Sequence, residues 1–569
     1  MSNKSVSYSE RLFDFQRVST STFHDDSSTS QEEKYEENIS NQDSKKKIIR
    51  FFIYFVSFLV SILFIGFLSA FFTNSKESTS HEASNDSKSN IAHPKLYKGP
   101  NQKFSSESNF NSSDSVILLS IDGFKASYFE LGLTPNLVKL GKNGIFPEYM
   151  IPSFPTITFP NHYTIATGLY PESHGIIGNA FYDPLLNDTF SYKKPSSTDS
   201  KWWGGEPIWV TAAINNIKSA TCMFPGSESE IKGHRPTYWF PYDDEMSQTH
   251  KIDQIIEWLL LPPNIRPSLI LSYFPEVDSA GHNFGPSSKQ VNDTLIQIDN
   301  TIGYLISKLT DNNLLNSSNI IIVSDHGMST SLVPTHSVSL NSLLSKSNLS
   351  HLDVDRQSIN FTSPKIFKNK NLVSSVHLWP HAGITPSKAE DTLYIYNKLL
   401  KSQDSSKYKV YLKKDVPKRL FFNQGARIPP ILIIAEKPYF ITYYPAKSSS
   451  SAKDSKNRYG HKNSKGKEKW FSHTNSFNDA DTFPNFYSKT PKTLGVHGYD
   501  NLDDDMRSIF IAHGNKFRSP KSNKSHTLFN FPHINNVDVY NILAKLIDVS
   551  PAPNNGSISV VQSMVKKFV

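Results

Sequence analysis

Three apolar runs in this 569-residue sequence each end in side chains able to bind a cation. Asp122 closes VILLSIDGF, Asp278 and His282 follow the run in SLILSYFPEVDSAGH, and Asp325 and His326 close NIIIVSDHGM. Asp278 and His282 are four apart, which brings two side chains to one face of a helical turn and is common among zinc ligands. Asp325 and His326 are adjacent; on a regular strand they would point to opposite faces, but a turn at the strand exit lets both converge. His497, in the Gly-rich stretch TLGVHGYDN, offers a further imidazole. The set is one of nitrogen and oxygen donors without sulfur, as two catalytic zinc sites with open positions would use. Two such ions about 4 Å apart can clamp a tetrahedral phosphoryl group.

A hydroxyl could fill one open position. In PTITFPNHY, Thr158 stands two residues before Pro160, and proline is favoured in a first helical turn, where its missing N–H costs nothing. An isolated Thr-x-Pro would be read as an N-cap. Beside a metal set the same threonine gains another use, because a helix start gathers unpaired donors that suit phosphate. Thr158 can then attack phosphorus as an activated nucleophile.

The elements that must position these residues are legible as texture. From residue 115 short apolar runs, VILLSID, SLILSYF, NIIIVSD and ILIIAE, alternate with stretches of helical period such as TPNLVKLGKNG and VNDTLIQIDNTIGYLISKL. That alternation predicts an α/β fold with a mostly parallel central sheet flanked by helices on both faces. Ligands of such sheets collect at the carboxyl ends of the strands.

Outside this region the chain changes character. Residues 1–47 are polar and patched with acids, as in a disordered cytosolic tail. Residues 51–72 carry no charge over a length that spans a hydrocarbon core, so 48–72 reads as a transmembrane signal anchor. Lys34, Lys45, Lys46, Lys47 and Arg50 precede it and only Lys76 and Lys88 follow closely, which sets the N-terminus in the cytosol. The rest would then be lumenal or extracellular, at the cell surface or within the exocytic pathway, making sequons from Asn85 to Asn555 plausible glycan sites. Residues 73–114 read as a flexible stalk, 115–557 as the catalytic domain and 558–569 as a tail. Most of the formal charge of +8 sits in lysine-rich residues 446–470, part of a basic low-complexity insert at 446–491, so no nucleic-acid partner is inferred. The single cysteine, Cys222, cannot form an internal disulfide and reads as a buried small residue.

Beyond these local readings, SIDGF, PTITFPNHYTIATGLYPESHGIIGN, KWWGGEPIWVTA, EVDSAGHNFGP, IIVSDHGM, GVHGYDN and NVDVYNILAKLIDVSPAPNNG together resemble the ectonucleotide pyrophosphatase/phosphodiesterase family of the alkaline phosphatase superfamily. The resemblance implies one zinc held by Asp122, Thr158, Asp325 and His326 and a second held by Asp278, His282 and His497. It implies that Asn179, in GIIGN, donates its amide to a non-bridging phosphate oxygen, and that Thr158 forms a phosphoryl-threonine intermediate later hydrolysed by water. Phe159 and Tyr273 match the aromatic slot in which family members sandwich a nucleotide base; the alternative for both rings is ordinary core packing. The implied substrates are nucleotides or nucleotide esters, cleaved to nucleoside 5′-monophosphates.

Other readings stay open from sequence. The same superfamily includes phosphomonoesterases, sulfatases, phosphoethanolamine transferases and phosphodiesterases of choline phospholipids. A sulfatase needs a cysteine or serine where this chain has Thr158, and the transferases span the membrane many times. A monoesterase would be expected to set a cation against the extra phosphate charge, where Phe159 and Asn179 suit a diester. A binding protein that kept the fold without catalysis would be expected to lack a ligand or the nucleophile, and none is missing. PKRLFF stands where many relatives carry a histidine and a tyrosine, which bears on local substrate contacts.

Overall fold

A computed structural model describes residues 114–349, 353–354, 372–378, 380–386, 388–442, 492–518 and 528–566. The expected cytosolic tail, membrane anchor and basic insert lie outside the described residues, as does nearly all of the stalk. Among the described residues, no helix is long and apolar enough to cross a membrane.

The central sheet comprises β1 (Ser115–Ile121), β2 (Ser219–Cys222), β3 (Tyr238–Phe240), β4 (Leu269–Phe274), β5 (Ser318–Val323) and β6 (Phe510–His513). Their spatial order is β6-β5-β1-β4-β2-β3, with β6 antiparallel and every other pairing parallel. Parallel strands buried on both faces read as continuous apolar runs. Here alternate residues divide between two cores: Val116 and Leu118 join the cluster that contains Trp209 and Tyr540, while Ile117 and Leu119 join the one that contains Trp258 and Ile298. Removing such a side chain from water contributes about 1.5–3 kcal/mol.

Register decides where the chemistry falls. β1 lies between β4 and β5, and Ser120 is level with both Tyr273 and Val323. Asp122, Asp278 and Asp325 therefore leave three neighbouring strands at the same edge.

The expected helices form at Pro135–Lys142 and Lys289–Asp311. Helix α1 (Thr158–Thr167) begins at the threonine, α2 (Glu276–Phe284) carries the Asp278/His282 pair, and α3 (Lys289–Asp311) packs a Leu/Ile stripe onto the second core. Two expectations are corrected. ILIIAE was placed among the runs of the parallel sheet; instead Ile431–Ala435 pairs antiparallel with His381–Pro386 and Tyr408–Leu412 in a separate five-stranded sheet. An apolar run specifies burial but not strand direction or sheet partner. The stretch from 558, read as a tail, is helical over Ile558–Met564, and Val561 and Met564 are buried against α4 (Asp538–Leu546). A helix of seven residues is too short for its apolar period to announce it.

Candidate metal and phosphoryl-transfer site

Each strand exit turns its side chains into the same pocket for a local reason. After β1 the chain bends at Gly123, whose φ of +69° suits a residue without Cβ. The Gly123 N–H donates to Asp325 Oδ1 at 3.1 Å, and the Asp325 carboxylate also accepts the His326 N–H at 2.9 Å. The i, i+4 pair of α2 faces the pocket as its spacing predicts. His497 arrives on a two-stranded ribbon in which Lys492–Val496 pairs antiparallel with Ser329–Val333, the strand that follows His326. Gly495 permits that approach: a Cβ there would lie 2.4 Å from the Gly281 carbonyl oxygen of α2.

Six of the seven expected ligands gather into two groups, and Thr158 stands beside the first of them. Asp122, Asp325 and His326 form one and Asp278, His282 and His497 the other, with the ligand atoms of each within 4.8 Å of one another. Around His326 Nε2 lie Asp325 Oδ2 at 3.1 Å, Thr158 Oγ1 at 3.4 Å and Asp122 Oδ1 at 3.5 Å. Asp278 Oδ1 lies 3.4 Å from His282 Nε2 and 3.6 Å from His497 Nε2. The rings of His326 and His497 stack at 3.7 Å and so join the two groups.

The donor chemistry fits metal ions. The Nδ1 atoms of His282, His326 and His497 lie 2.9 Å from the carbonyl oxygens of Gly495, Gly327 and Thr156 respectively. A carbonyl only accepts, so Nδ1 carries a proton, and each ring presents an Nε2 lone pair whenever it is neutral, as metal binding requires. His282 Nε2 and His497 Nε2 face each other at 3.0 Å, an arrangement of two lone pairs that a cation relieves. Asp122 Oδ1, Asp278 Oδ1 and Asp325 Oδ2 are buried and accept no hydrogen bond. Buried anionic oxygens without donors carry a large desolvation cost unless a positive charge meets them.

The electrostatics agree. Burial, together with the neighbouring Asp325 and Asp278, raises the Asp122 carboxyl well above its usual range. Burial also raises Asp278, against the pull of His282 and His326. Burial would raise Asp325 too, but the imidazoles of His326 and His162 hold it far below the usual carboxylate range. Burial depresses His497, and the nearby imidazoles of His326 and His282 add to the effect.

Thr158 is the first residue of α1, and the N-cap position belongs to Ile157. The hydroxyl therefore opens toward the metal groups instead of capping its helix. Behind it, His162 Nδ1 donates to the Thr158 carbonyl at 2.9 Å and lies 3.4 Å from Asp325 Oδ2. His162, one turn after Thr158, thus stands behind both the hydroxyl residue and Asp325. Asn179 Oδ1 accepts the Phe159 N–H at 2.9 Å, which leaves the two N–H donors of its amide for the pocket it lines.

The pocket holds about 480 Å³. Asp122, Thr158, Asn179, Asp278, His282 and His497 line it, and aromatic wall comes from Phe159, Tyr192, Trp203 and Tyr242. Phe159 is flanked by Tyr192 at 5.3 Å and Trp203 at 6.3 Å. Tyr273 lines the pocket as well, but its hydroxyl donates to Asp122 Oδ2 at 2.5 Å and its ring meets His162 edge-on. Its place is thus beside a ligand, a role that the sequence did not indicate. Tyr242 and Tyr192 were also missed, since both lie outside any periodic stretch.

Comparison with known proteins follows the same lines. A family model for type I phosphodiesterase/nucleotide pyrophosphatase matches residues 116–500. An uncharacterised pyrophosphatase/phosphodiesterase of Schizosaccharomyces pombe is 36% identical over 449 residues, covering 78% of each chain. A venom phosphodiesterase of Macrovipera lebetinus is 33% identical across 79% of this chain and 45% of its own length. Human ectonucleotide pyrophosphatase/phosphodiesterase family member 1 is 32% identical across 80% of this chain and 42% of its own. The match thus spans less than half the length of the venom and human relatives. Among solved structures, murine ectonucleotide pyrophosphatase/phosphodiesterase 5 superposes with a TM-score of 0.62 at 29% identity, over 79% of this chain and all of that one. An inactive threonine-to-alanine variant of the murine protein, in complex with AMP, superposes with a TM-score of 0.61 at 28% identity, over the same share of each chain.

Proposed function

Because this chain belongs to the ectonucleotide pyrophosphatase/phosphodiesterase family of the alkaline phosphatase superfamily, we propose that it is a zinc-dependent hydrolase of nucleotide phosphodiester and pyrophosphate bonds that releases nucleoside 5′-monophosphates. The observation that carries this reading is Thr158 itself: a pocket-facing hydroxyl at a helix N-terminus, 3.4 Å from His326 Nε2 and beside two clusters of anionic and imidazole ligands. Zinc is favoured over magnesium or calcium because three imidazoles share the donor set.

Asp122, Asp325, His326 and Thr158 would hold one ion and Asp278, His282 and His497 the other. When bound, these ions supply positive charge that acidifies the Thr158 hydroxyl and neutralises the phosphoryl oxygens. Thr158 Oγ forms the new bond to phosphorus as the bond to the leaving oxygen breaks. The Asn179 amide donates to a non-bridging oxygen, and its bond to the Phe159 N–H holds it in place before charge develops. Water then cleaves the threonine ester, releasing the monophosphate and restoring the hydroxyl. The aromatic wall around Phe159 receives the base, and stacking tolerates any base. The AMP held by the murine relative supports a nucleotide in this pocket.

We place the catalytic domain on the lumenal or extracellular side of a single N-terminal anchor; glycosidase sensitivity of the membrane-bound chain tests this, and an unglycosylated, cytosol-facing domain would refute it. The activity is tested on the full chain with a thymidine nitrophenyl diester and the simple nitrophenyl monoester, with and without chelator and added zinc. Zinc-dependent preference for the diester is the expected result. Preference for the monoester would retain the metals and hand the pocket to a monoesterase; cleavage of choline phospholipids in place of nucleotides would redirect the substrate assignment.

A further inference from the structure

The loop that delivers His497 lies outside helix and strand. It leaves the ribbon at Val496 and turns at Gly498, whose φ is +107°. Something must hold it if His497 is to present Nε2 at a constant position, because metal affinity depends on ligands fixed by their hydrogen-bonded partners. One restraint comes from the nucleophile side: Thr156 accepts from His497 Nδ1 through its carbonyl and from the Gly498 N–H through its hydroxyl, at 2.9 Å each.

A second restraint comes from the five-stranded sheet. His381 opens the strand His381–Pro386 and is buried, with a relative exposure of 2%. The Ala435 N–H donates to its Nδ1 at 3.0 Å, so the proton of the neutral ring sits on Nε2, which donates to the Gly498 carbonyl at 2.8 Å. The ring stacks on Phe154 at 5.3 Å, on the segment that leads to Thr158, and meets Tyr499 edge-on at 6.4 Å. A single imidazole therefore touches the approach to the nucleophile and the loop of the last ligand. Core packing alone would require an apolar ring there, whereas both nitrogens of this one are spent on backbone groups across a domain-scale gap in sequence.

We propose that His381 is a positioning residue that sets His497 by holding the Gly498 carbonyl, so that the five-stranded sheet governs retention of the metal bound by Asp278, His282 and His497. The inference rests on the metal reading above. It makes His381 dispensable for contact with substrate and important for holding the ion.

The test compares the full-length protein with its His381→Ala and His381→Gln variants. Glutamine offers an acceptor oxygen to Ala435 and a donor N–H to Gly498. Zinc per chain is measured after dialysis against stepped concentrations of a chelator, alongside kcat and KM for the thymidine diester and the unfolding midpoint of the metal-free protein. His381→Ala should surrender one of two zinc ions at about tenfold to hundredfold lower chelator, with kcat falling by a similar factor and KM changing much less. His381→Gln should recover most of the retention, even if both variants lower the metal-free midpoint equally. Retention by His381→Ala equal to wild type, or no recovery in His381→Gln, would overturn the proposal. Wild-type protein that keeps zinc but leaves the diester intact would overturn the proposed reaction alone, while the retention comparison still judges His381.

Discussion

The backbone N–H of Asp278 donates to the carbonyl of Asp122 at 3.0 Å, so one ligand from each metal group is tied to the other through the main chain. The bend at Gly123 makes the tie possible: a Cβ at that residue would stand 2.8 Å from the Asp278 Cα. Gly123→Ala adds that overlap to a left-handed backbone costing about 1–3 kcal/mol. The variant should unfold at lower denaturant and bind less zinc per chain. Wild-type values in both measurements would show that the two strand exits are not coupled.

Thr158→Ala should lower turnover of the diester by about a thousandfold or more, as loss of a nucleophile does. Zinc content should stay near that of the wild type, because the carboxylates and imidazoles of both groups remain. Substantial turnover in the variant would remove Thr158 from the reaction.

Asn179 holds its acceptor oxygen on Phe159 N–H, which leaves the amide N–H groups as the active end. Asn179→Ala should reduce kcat about 10²- to 10³-fold with little change in KM, the signature of a donor that acts on the transition state. Asn179→Asp should be at least as poor, since it sets a carboxylate against the phosphoryl oxygens. A selective rise in KM would instead assign Asn179 to ground-state binding.

For Phe159→Ala the expected effect is on substrate choice. Loss of a stacking ring worth about 1–3 kcal/mol should raise KM for nucleotide esters about fivefold to a hundredfold and leave a small nitrophenyl diester nearly unaffected. Equal effects on both substrates would return Phe159 to core packing with Tyr192 and Trp203.

A pH signature should come from His174, away from the metals. Its Nδ1 accepts the Ile176 N–H at 3.1 Å, and burial pushes its pKa down to about 3. The unfolded chain then takes up its proton near pH 6.5 while the folded chain does not, so stability is full above that pH and falls as pH drops toward 3. The slope from this group approaches about 1.4 kcal/mol per pH unit. In urea unfolding of the metal-free protein between pH 7 and 5, His174→Gln should show a flatter dependence. Parallel curves for variant and wild type would refute the assignment.

The sequence by itself determined the local terms of this site. Apolar runs ending in Asp122 and in Asp325–His326, a four-residue interval from Asp278 to His282, and a helix start at Thr158 all follow from periodicities and backbone preferences acting over a few residues. Which side chains could bind a cation was legible for the same reason, since coordination chemistry depends on residue type. Tertiary structure alone decided what depends on register and on neighbours distant in sequence. It made β1 the common neighbour of β4 and β5, and moved ILIIAE into an antiparallel sheet. It also bound Tyr273 to Asp122 and His381 to Gly498, and packed Val561 and Met564 into the core. A side chain's own sequence states whether it can be buried or can donate a hydrogen bond. Which partner it meets is settled by the packing of whole sheets and helices, where many small contacts compete and only the assembled sum selects one register.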